Sequence, residues 1–373
     1  MGSQSCEVTW SQVESPDVVY SEEFIIRSRA DAFAFATKHE KLIVLPLLKA
    51  LDFPINGFNN SRITALIVAI RRSDKIFVEK LIELGADINH AVRSFTIIPL
   101  LEAYVMCRKR KDFVGELFEM SKDIFHLLLK HGANPNIYNP QHLWLVHLIL
   151  IDGEMDLLYS LIEYGVDLSV VTPLHRKNLL HLTCELTTKK PAYSTDIALQ
   201  MCRLLIHKRV DMNHRDFCHE TPLLCTLHGG GNLSLAHELL VEGTSLDLRN
   251  NFGNTFLTRA IHYALYDHAK MAIYAGALLR ANQCCFRTPT VKTYDNTLLM
   301  NAIYDYERFV KFYETYLNTP RKLKDIARLT IRKQLPCPIS VAVTDLNERL
   351  PQSLIKYLLL DEMKHILQLD IKI

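Results

Sequence analysis

Apolar and polar positions along the chain recur on a beat. Paired Leu, Ile or Val residues run into a spacer, a glycine and a short polar stretch: "LIELGADIN" at 81–89, "LLLKHGANPN" at 127–136, "LIEYGVDLS" at 161–169, "LLIHKRVDMN" at 204–213, "LLVEGTSLD" at 239–247 and "AIYAGALL" at 272–279. Each predicts the close of a helix, because glycine accepts the left-handed conformation that terminates one; in one copy Arg209 stands in its place. Ahead of each lies a shorter apolar run that predicts a first helix: "TALIVAI" from Thr64, "IPLLEAY" at 98–104, "WLVHLIL" at 144–150, "NLLHLTCE" at 178–185, "TPLLCTL" at 221–227 and "TFLTRAI" at 255–261. An opening Thr can accept an orphan amide bond, and Pro at the next position costs nothing there. Ala69, Ala103 and Ala260 let neighbouring pairs approach closely. One such pair cannot bury its own apolar face, so a stack is predicted in which neighbours supply the core. Polar connections such as "NHRDFCHE" at 213–220 are predicted to project as fingers along one edge of a concave surface.

The departures from the beat are informative. Residues 1–20 are polar and aperiodic and predict a loose tail. Residues 30–56 predict two short helices broken near Lys38–Glu40, with "DFPIN" as a degenerate closing signal, as a capping unit requires. The second unit carries roughly a dozen extra residues around "CRKRKDFVGELFE", by comparison with the standard repeat length. In the fourth, "TPLH" at 172–175 comes six residues early, so the helix is placed at "NLLHLTCE" and "TPLH" on the finger, with an insertion near "TTKKPAYST". The fifth has one extra residue in "HGGGN". "TLLMNAI" at 297–303 and "YERFVKFYETYL" at 306–317 predict a last pair without a glycine close.

Beyond Leu317 the pattern changes. "NTPRKLKDIARLTIRKQLPCP" at 318–338 predicts a helix that Thr319 caps and Pro336 and Pro338 end, with Pro320 in its first turn. Leu323, Ile326, Ala327, Thr330, Ile331 and Leu335 share one side, and Lys322, Lys324, Arg328, Arg332 and Lys333 occupy much of the rest. "LPQSLIKYLLL" at 350–360 predicts a turn feeding a short helix with Leu354, Tyr357 and Leu358 on one face.

These patterns resemble two known families. The pairs resemble the ankyrin repeat, which opens on T-P-L-H-x-A and closes on L-L-x-x-G-A-D; Thr64 to Gly85 reproduces its spacing of 21 residues. The segment after them resembles the SOCS box, and together they resemble the ankyrin-repeat and SOCS-box-containing proteins. The resemblance implies an all-α fold, an ankyrin-repeat solenoid followed by a small three-helix SOCS-box-like segment. The expected domains are a tail at 1–20, about seven or eight helix pairs at 21–318 with the first and last degenerate, and the box at 319–373. In that family an L-x-x-x-C-x-x-x-I motif enters a groove of elongin C. Here Leu323, Ala327 and Ile331 match it, with Ile326 beside them, and Ala327 departs from the cysteine. The smaller side chain forgoes ~1 kcal/mol of burial. The family's cullin-contacting L-P-x-P and L-x-x-Y-L elements map to Leu350, Pro351, Leu354, Tyr357 and Leu358, but Glu348 and Arg349 replace the first Leu-Pro pair.

The resemblance therefore implies a non-catalytic adaptor whose repeats hold an unidentified protein substrate and whose box recruits elongin B/C and cullin–RING subunits. The alternative is a plain ankyrin scaffold whose last helices only cap the stack. A viral or parasite protein that redirects host ligases shares the adaptor mechanism and is not separable by sequence. Finger residues His90, Tyr138, Asn139, Arg215, Asp216, Arg249 and Asn250 are the substrate-contact candidates.

Composition narrows the picture further. The 373 residues are 49 % hydrophobic and carry a net charge of +2, so no global basic field points to nucleic acid. Nine cysteines without a C-x-x-C pair read as reduced, and the expected compartment is the cytoplasm or the nucleus. "MGSQSCEVTW" lacks the features of a secretory signal, and Cys6 stands where a myristoylation signal has Ser or Thr. The longest apolar run, "LIVLPLL" at 42–48, is too short to span a bilayer. No nucleophile elbow, P-loop, H-E-x-x-H or dinucleotide fingerprint is present, so catalysis and cofactors are not expected. His147 and His181 fit local bonding between units better than a metal. Cys218, His219, Cys225 and His228 have poor zinc spacing, and Cys284–Cys285 are read as idle. The basic run "CRKRKDF" at 107–113 reads as a solvated insertion, since no stacking platform accompanies it.

Overall fold

The computed structural model describes residues 32–59, 63–90, 97–110, 116–189, 195–277, 296–318, 323–344 and 350–360. The 1–20 tail, the Thr319 cap and Cys284–Cys285 lie outside them. Every regular element among the described residues is a helix. The chain forms two compact units that divide between Asp167 and Leu168.

The first unit holds four helix pairs: α1 (Ala32–Lys38) with α2 (Val44–Ala50), α3 (Ala65–Arg72) with α4 (Lys75–Glu83), α5 (Pro99–Arg110) with α6 (Glu116–Lys130), and α7 (Leu145–Asp152) with α8 (Met155–Glu163). The second holds α9 (Leu179–Lys189) with α10 (Thr195–His207), α11 (Pro222–Cys225) with α12 (Leu233–Val241), and α13 (Phe256–His262) with α14 (Tyr266–Tyr274). It continues through α15 (Asn296–Asn318), α16 (Leu323–Gln334), α17 (Ile339–Thr344) and α18 (Gln352–Leu358).

The helix starts follow the residue chemistry. The Thr64, Thr221 and Thr255 hydroxyls accept from the backbone N–H of Ile67, Leu224 and Thr258. Asp74 and Asn232 do the same for the second helices of their pairs. The stops follow it too. At Gly85 the N–H donates to Ile82 O (2.9 Å) and the next N–H to Leu81 O (2.9 Å), the two bonds of a Schellman close. Arg209 makes the same close at φ 61°.

The polar residues after the close join successive pairs. Asn89 Nδ2 donates to Gly132 O (3.1 Å), and its Oδ1 accepts from Asn134 N (2.8 Å). Asn136 repeats this toward Gly165 and Asp167, and Asn213 accepts from Ser245 N (2.8 Å). The last Asn of "GADIN" is thus a rung between neighbours, satisfying backbone groups of the next closing turn.

Two expectations are corrected, and a third holds in part. The run "CRKRKDF" begins inside α5: Cys107 lies in the core, whereas Arg108 and Lys109 are exposed, Arg108 pairing with Asp152 at 3.2 Å, and 111–113 lie outside the described residues. The insertion there lengthens both helices of its pair. "TPLLCTL" yields only the single turn α11, because Gly229, Gly230 and Gly231 all take positive φ. Gly231 is needed for proximity as well: a Cβ there would stand 2.6 Å from His268 Cε1. Lastly, "TLLMNAI" and "YERFVKFYETYL" are one helix, α15, and not a pair. Only Tyr304 and Asp305 separate the two runs, so no glycine or proline breaks them. Phe309 also stacks on Tyr266 at 5.1 Å while Phe312 meets Tyr274 at 5.7 Å, binding α15 to α14 along its length.

Candidate functional site

The C-terminal arm is built from α16, α17 and α18. Ile339, Val343 and Leu358 form its core, and Leu335, Leu350, Leu354, Ile355 and Leu359 pack around them. One side of α16 is seated. Arg328 and Arg332 are buried there, which their place among the charged positions did not suggest. Arg328 lies over the Tyr357 ring (4.7 Å), and Tyr357 OH donates to Asp325 Oδ1 (2.8 Å).

Arg332 reaches further. Its Nη2 donates to Leu240 O (2.7 Å) and Val241 O (3.0 Å) at the end of α12, and its Nη1 donates to Leu358 O. One planar fork thus holds two elements together. Burial, and then the neighbouring Arg328, bring its guanidinium down to about 10. Beside it, Ile339 N and Ser340 N donate to the backbone and carboxylate oxygens of Glu242 (3.2 and 2.9 Å). Gly243 lies so near that a Cβ would meet Ile339 Cδ1 at 2.7 Å.

The other side of α16 is open. Leu323 is 82 % exposed, Ile326 47 % and Ile331 40 %, with Ala327 exposed among them. These positions, spaced by three and four residues, make one apolar strip on the helix. The cullin candidates fare differently. Leu358 is 2 % exposed and belongs to the arm's own core, while Leu350 and Leu354 pack against it, so these three shape the arm. Tyr357 is half-buried and engaged with Asp325 and Arg328; Pro351 is exposed.

The finger candidates also divide. In the first unit, His90 lies 5.5 Å from the Phe58 ring, exposed Tyr138 stands beside His142 and Trp144, and Asn139 Oδ1 accepts from Gln141 N and Leu143 N. In the second, Asp216 and Asn250 are buried, which removes them as contact residues. Asp216 Oδ1 accepts from Cys218 N (2.9 Å) and Glu220 N (2.8 Å); Asn250 Oδ1 accepts from Phe252 N and Asn254 N (both 3.0 Å). Asn139, Asp216 and Asn250 each brace a hairpin from within. Arg215 is exposed and donates to Arg249 O (2.8 Å), and half-buried Arg249 donates to Gly253 O (3.2 Å). In the second unit the exposed finger tips are Leu174, Phe217 and Phe252, none of them among the expected contact residues. An apolar residue one or two places after the bracing Asp or Asn is the signal that marks Phe217 and Phe252.

Beneath the fingers lies a buried polar cluster. His181 contacts Asn178 Oδ1 (2.6 Å) and Glu220 O (2.9 Å), bridging adjacent pairs. Glu220 pairs with Arg259 and with His228 (3.1 Å), and Lys177 pairs with Glu185. The sets His181–Asp216–Cys225 and Glu185–Cys225–His228 bring ligand-type atoms within 4.8 Å. Their His and carboxylate atoms already serve internal hydrogen bonds and ion pairs, and burial pushes the Cys225 thiol up, against the thiolate that a metal would need. Cys218 is exposed on a finger and Cys225 lies in the core.

Burial drives His181 and His268 down to about 4 from their ordinary 6.5. Both are therefore kept neutral in the folded chain. Their contribution is intact above pH 6.5 and is lost as pH falls toward 4, at about 1.4 kcal/mol per pH unit for each. Urea titrations at pH 7, 6 and 5 will show unfolding free energy falling along that slope, and His268→Gln will reduce it. A flat profile through this window refutes the assignment.

Residues 319–359 match the SOCS box family. The segment that follows the helix pairs is thus similar to the SOCS box. Similar solved structures include the human ASB11 ankyrin repeat domain, with 18 % identity over 67 % of this chain and 99 % of that one, at a TM-score of 0.45. An ankyrin repeat domain from Acinetobacter baumannii AYE has 21 % identity over 58 % and 99 %, at 0.47. The ankyrin repeat domain of Bcl-3 has 20 % identity over 60 % and 91 %, at 0.45. No helix among the described residues is long and apolar enough to cross a membrane.

Proposed function

We propose that this protein is the substrate-recognition adaptor of an elongin B/C–cullin–RING ubiquitin ligase, with the repeats at 21–318 holding a protein substrate and the box at 319–373 recruiting the ligase. The carrying observation is the strip of Leu323, Ile326, Ala327 and Ile331, which stays open while the opposite side of the same helix is anchored by Arg328 and Arg332. A helix that only capped the stack would turn its large apolar residues inward. The strip has the residue spacing of a helix that enters a hydrophobic groove. The mechanism is proximity: the held protein's lysines are kept at high local concentration near the conjugating enzyme.

Co-purification with elongin B/C tests the proposal. The wild-type chain is expected to form the complex. Leu323→Asp removes burial of about 2 kcal/mol and places a charge in the groove, so complex is expected to be lost without a change in melting temperature. Absence of a wild-type complex, or one indifferent to this substitution, refutes the reading. Deleting 319–373 is a poorer test, since it also strips Arg332 from the carbonyls that end α12.

A further inference from the structure

In the second unit three fingers are stitched tip to tip. Phe217 N donates to His175 O (2.9 Å), and Asn251 N donates to Cys218 O (3.1 Å). His214 Nε2 lies 2.9 Å from Arg176 O, Arg215 Nη2 donates to Arg249 O (2.8 Å), and Asn251 Nδ2 donates to Phe217 O (3.3 Å). Successive fingers are thereby locked in a row. Along it Leu174, Phe217 and Phe252 are 82, 67 and 81 % exposed. Large apolar side chains at such exposure, held by a rigid backbone, mark a contact surface.

The charge of the row is one-sided. Segments 172–177, 213–220 and 248–254 contain two carboxylates, Asp216 and Glu220, and both are buried and consumed inside the fold. The same segments present exposed Arg176, Arg215, His175 and His219. The exposed acids that precede the second and third fingers, Asp211 and Asp247, stand in helix-closing turns, where Asp211 accepts from Asn213 N. Guanidinium forks beside apolar tips suit carboxylates interleaved with apolar side chains.

We infer that this row binds an extended acidic segment of a partner protein, one that alternates carboxylates with aromatic or aliphatic residues. The inference rests on the repeats being the substrate-holding half of the adaptor, and it names the class of substrate segment. A single-stranded nucleic acid would also meet basic and aromatic groups. It is disfavoured because one of the three tips is Leu174, which offers no stacking face, and because the chain's net charge is only +2.

The test uses the full chain and four fluorescein-labelled probes read by anisotropy. They are a twelve-residue peptide alternating Glu or Asp with Phe or Leu, its Lys-for-acid counterpart, its Ser-for-apolar counterpart, and oligouridylate. The first is expected to bind about tenfold more tightly than the others and to weaken as salt rises. Phe217→Ser with Phe252→Ser, or Arg215→Glu, is expected to weaken it about tenfold. These positions are exposed, and an unchanged melting curve verifies the fold of each variant. Equal binding of the basic peptide, tighter binding of oligouridylate, or indifference to the substitutions overturns the inference. Elongin capture, measured on the same preparations, separates the two proposals. Arg215→Glu retains elongin, and Leu323→Asp retains the acidic peptide.

Discussion

Glu220→Ala destabilises the second unit by about 3–5 kcal/mol, the cost expected when one member of a buried ion pair is removed and the other stays behind. Burial alone would raise the Glu220 carboxyl. Hydrogen bonds from His228 and Arg259, with the charge of Arg259, outweigh it and bring it down to about 2. Without Glu220 the guanidinium of Arg259 remains 9 % exposed, with Tyr263 OH at 3.1 Å and His228 Nε2 at 3.1 Å but no compensating anion among these partners. Pairing Glu220→Ala with Arg259→Met removes both charges and is expected to recover most of the loss. Chemical denaturation of the wild type, both single variants and the double variant checks it. A single-variant cost under about 1 kcal/mol, or additivity in the double, contradicts the coupling. The pH dependence is separable from that of the histidines. Because the Glu220 carboxyl is depressed, its contribution is whole above its ordinary 4.5 and is lost as pH falls from there toward 2.

Arg332→Met loosens the box from the repeats while leaving the helix pairs folded. The substitution keeps the stem and removes the fork, so the carbonyls of Leu240, Val241 and Leu358 lose a shared donor. Leu240 O keeps the Gly243 N–H (3.3 Å), so the loss falls mainly on Val241 O and Leu358 O; each unsatisfied buried acceptor costs about 1–3 kcal/mol, offset in part by no longer burying a charge. A net loss of about 2 kcal/mol raises the population of the locally opened state about thirtyfold. Hydrogen exchange reads it at Ile339 N and Ser340 N, which donate to Glu242 across the same junction. Arg332→Lys is expected to behave similarly, because a point charge does not span the two elements as the planar fork does. Unchanged exchange at these amides in both variants shows that apolar contacts, such as Ile339 against Gly243, suffice to seat the box.

Much of the fold is legible in the amino-acid sequence. Thr64, Thr221 and Thr255 announced helix starts because a hydroxyl before an apolar run has one good use, and the structure shows that use. "TPLH" at 172–175 was placed on a finger by spacing alone, and Thr172 indeed opens the hairpin there, its Oγ1 accepting from Lys177 N. The exposed strip on α16 could be read because Leu323, Ala327 and Ile331 repeat at helical spacing. Other features had no such trace. A finger Asp or Asn looks like a solvent-facing contact residue, and nothing in its neighbours says that Asp216 Oδ1 is spent on two backbone amides. Arg332 stands in a run of basic residues that reads as a charged face, and its acceptors on α12 lie more than ninety positions earlier in the chain.

The amino-acid sequence by itself determined where helices begin and stop, which units repeat, and which side of the last long helix pattern is apolar. Those are consequences of local backbone chemistry and of side-chain spacing along a single element. Only the tertiary structure decided which side of α16 is spent on the repeats, which finger residues face solvent, and which charges meet inside the second unit. Those outcomes depend on groups far apart in sequence arriving at one place, where a buried fork or carboxylate finds its partner or does not.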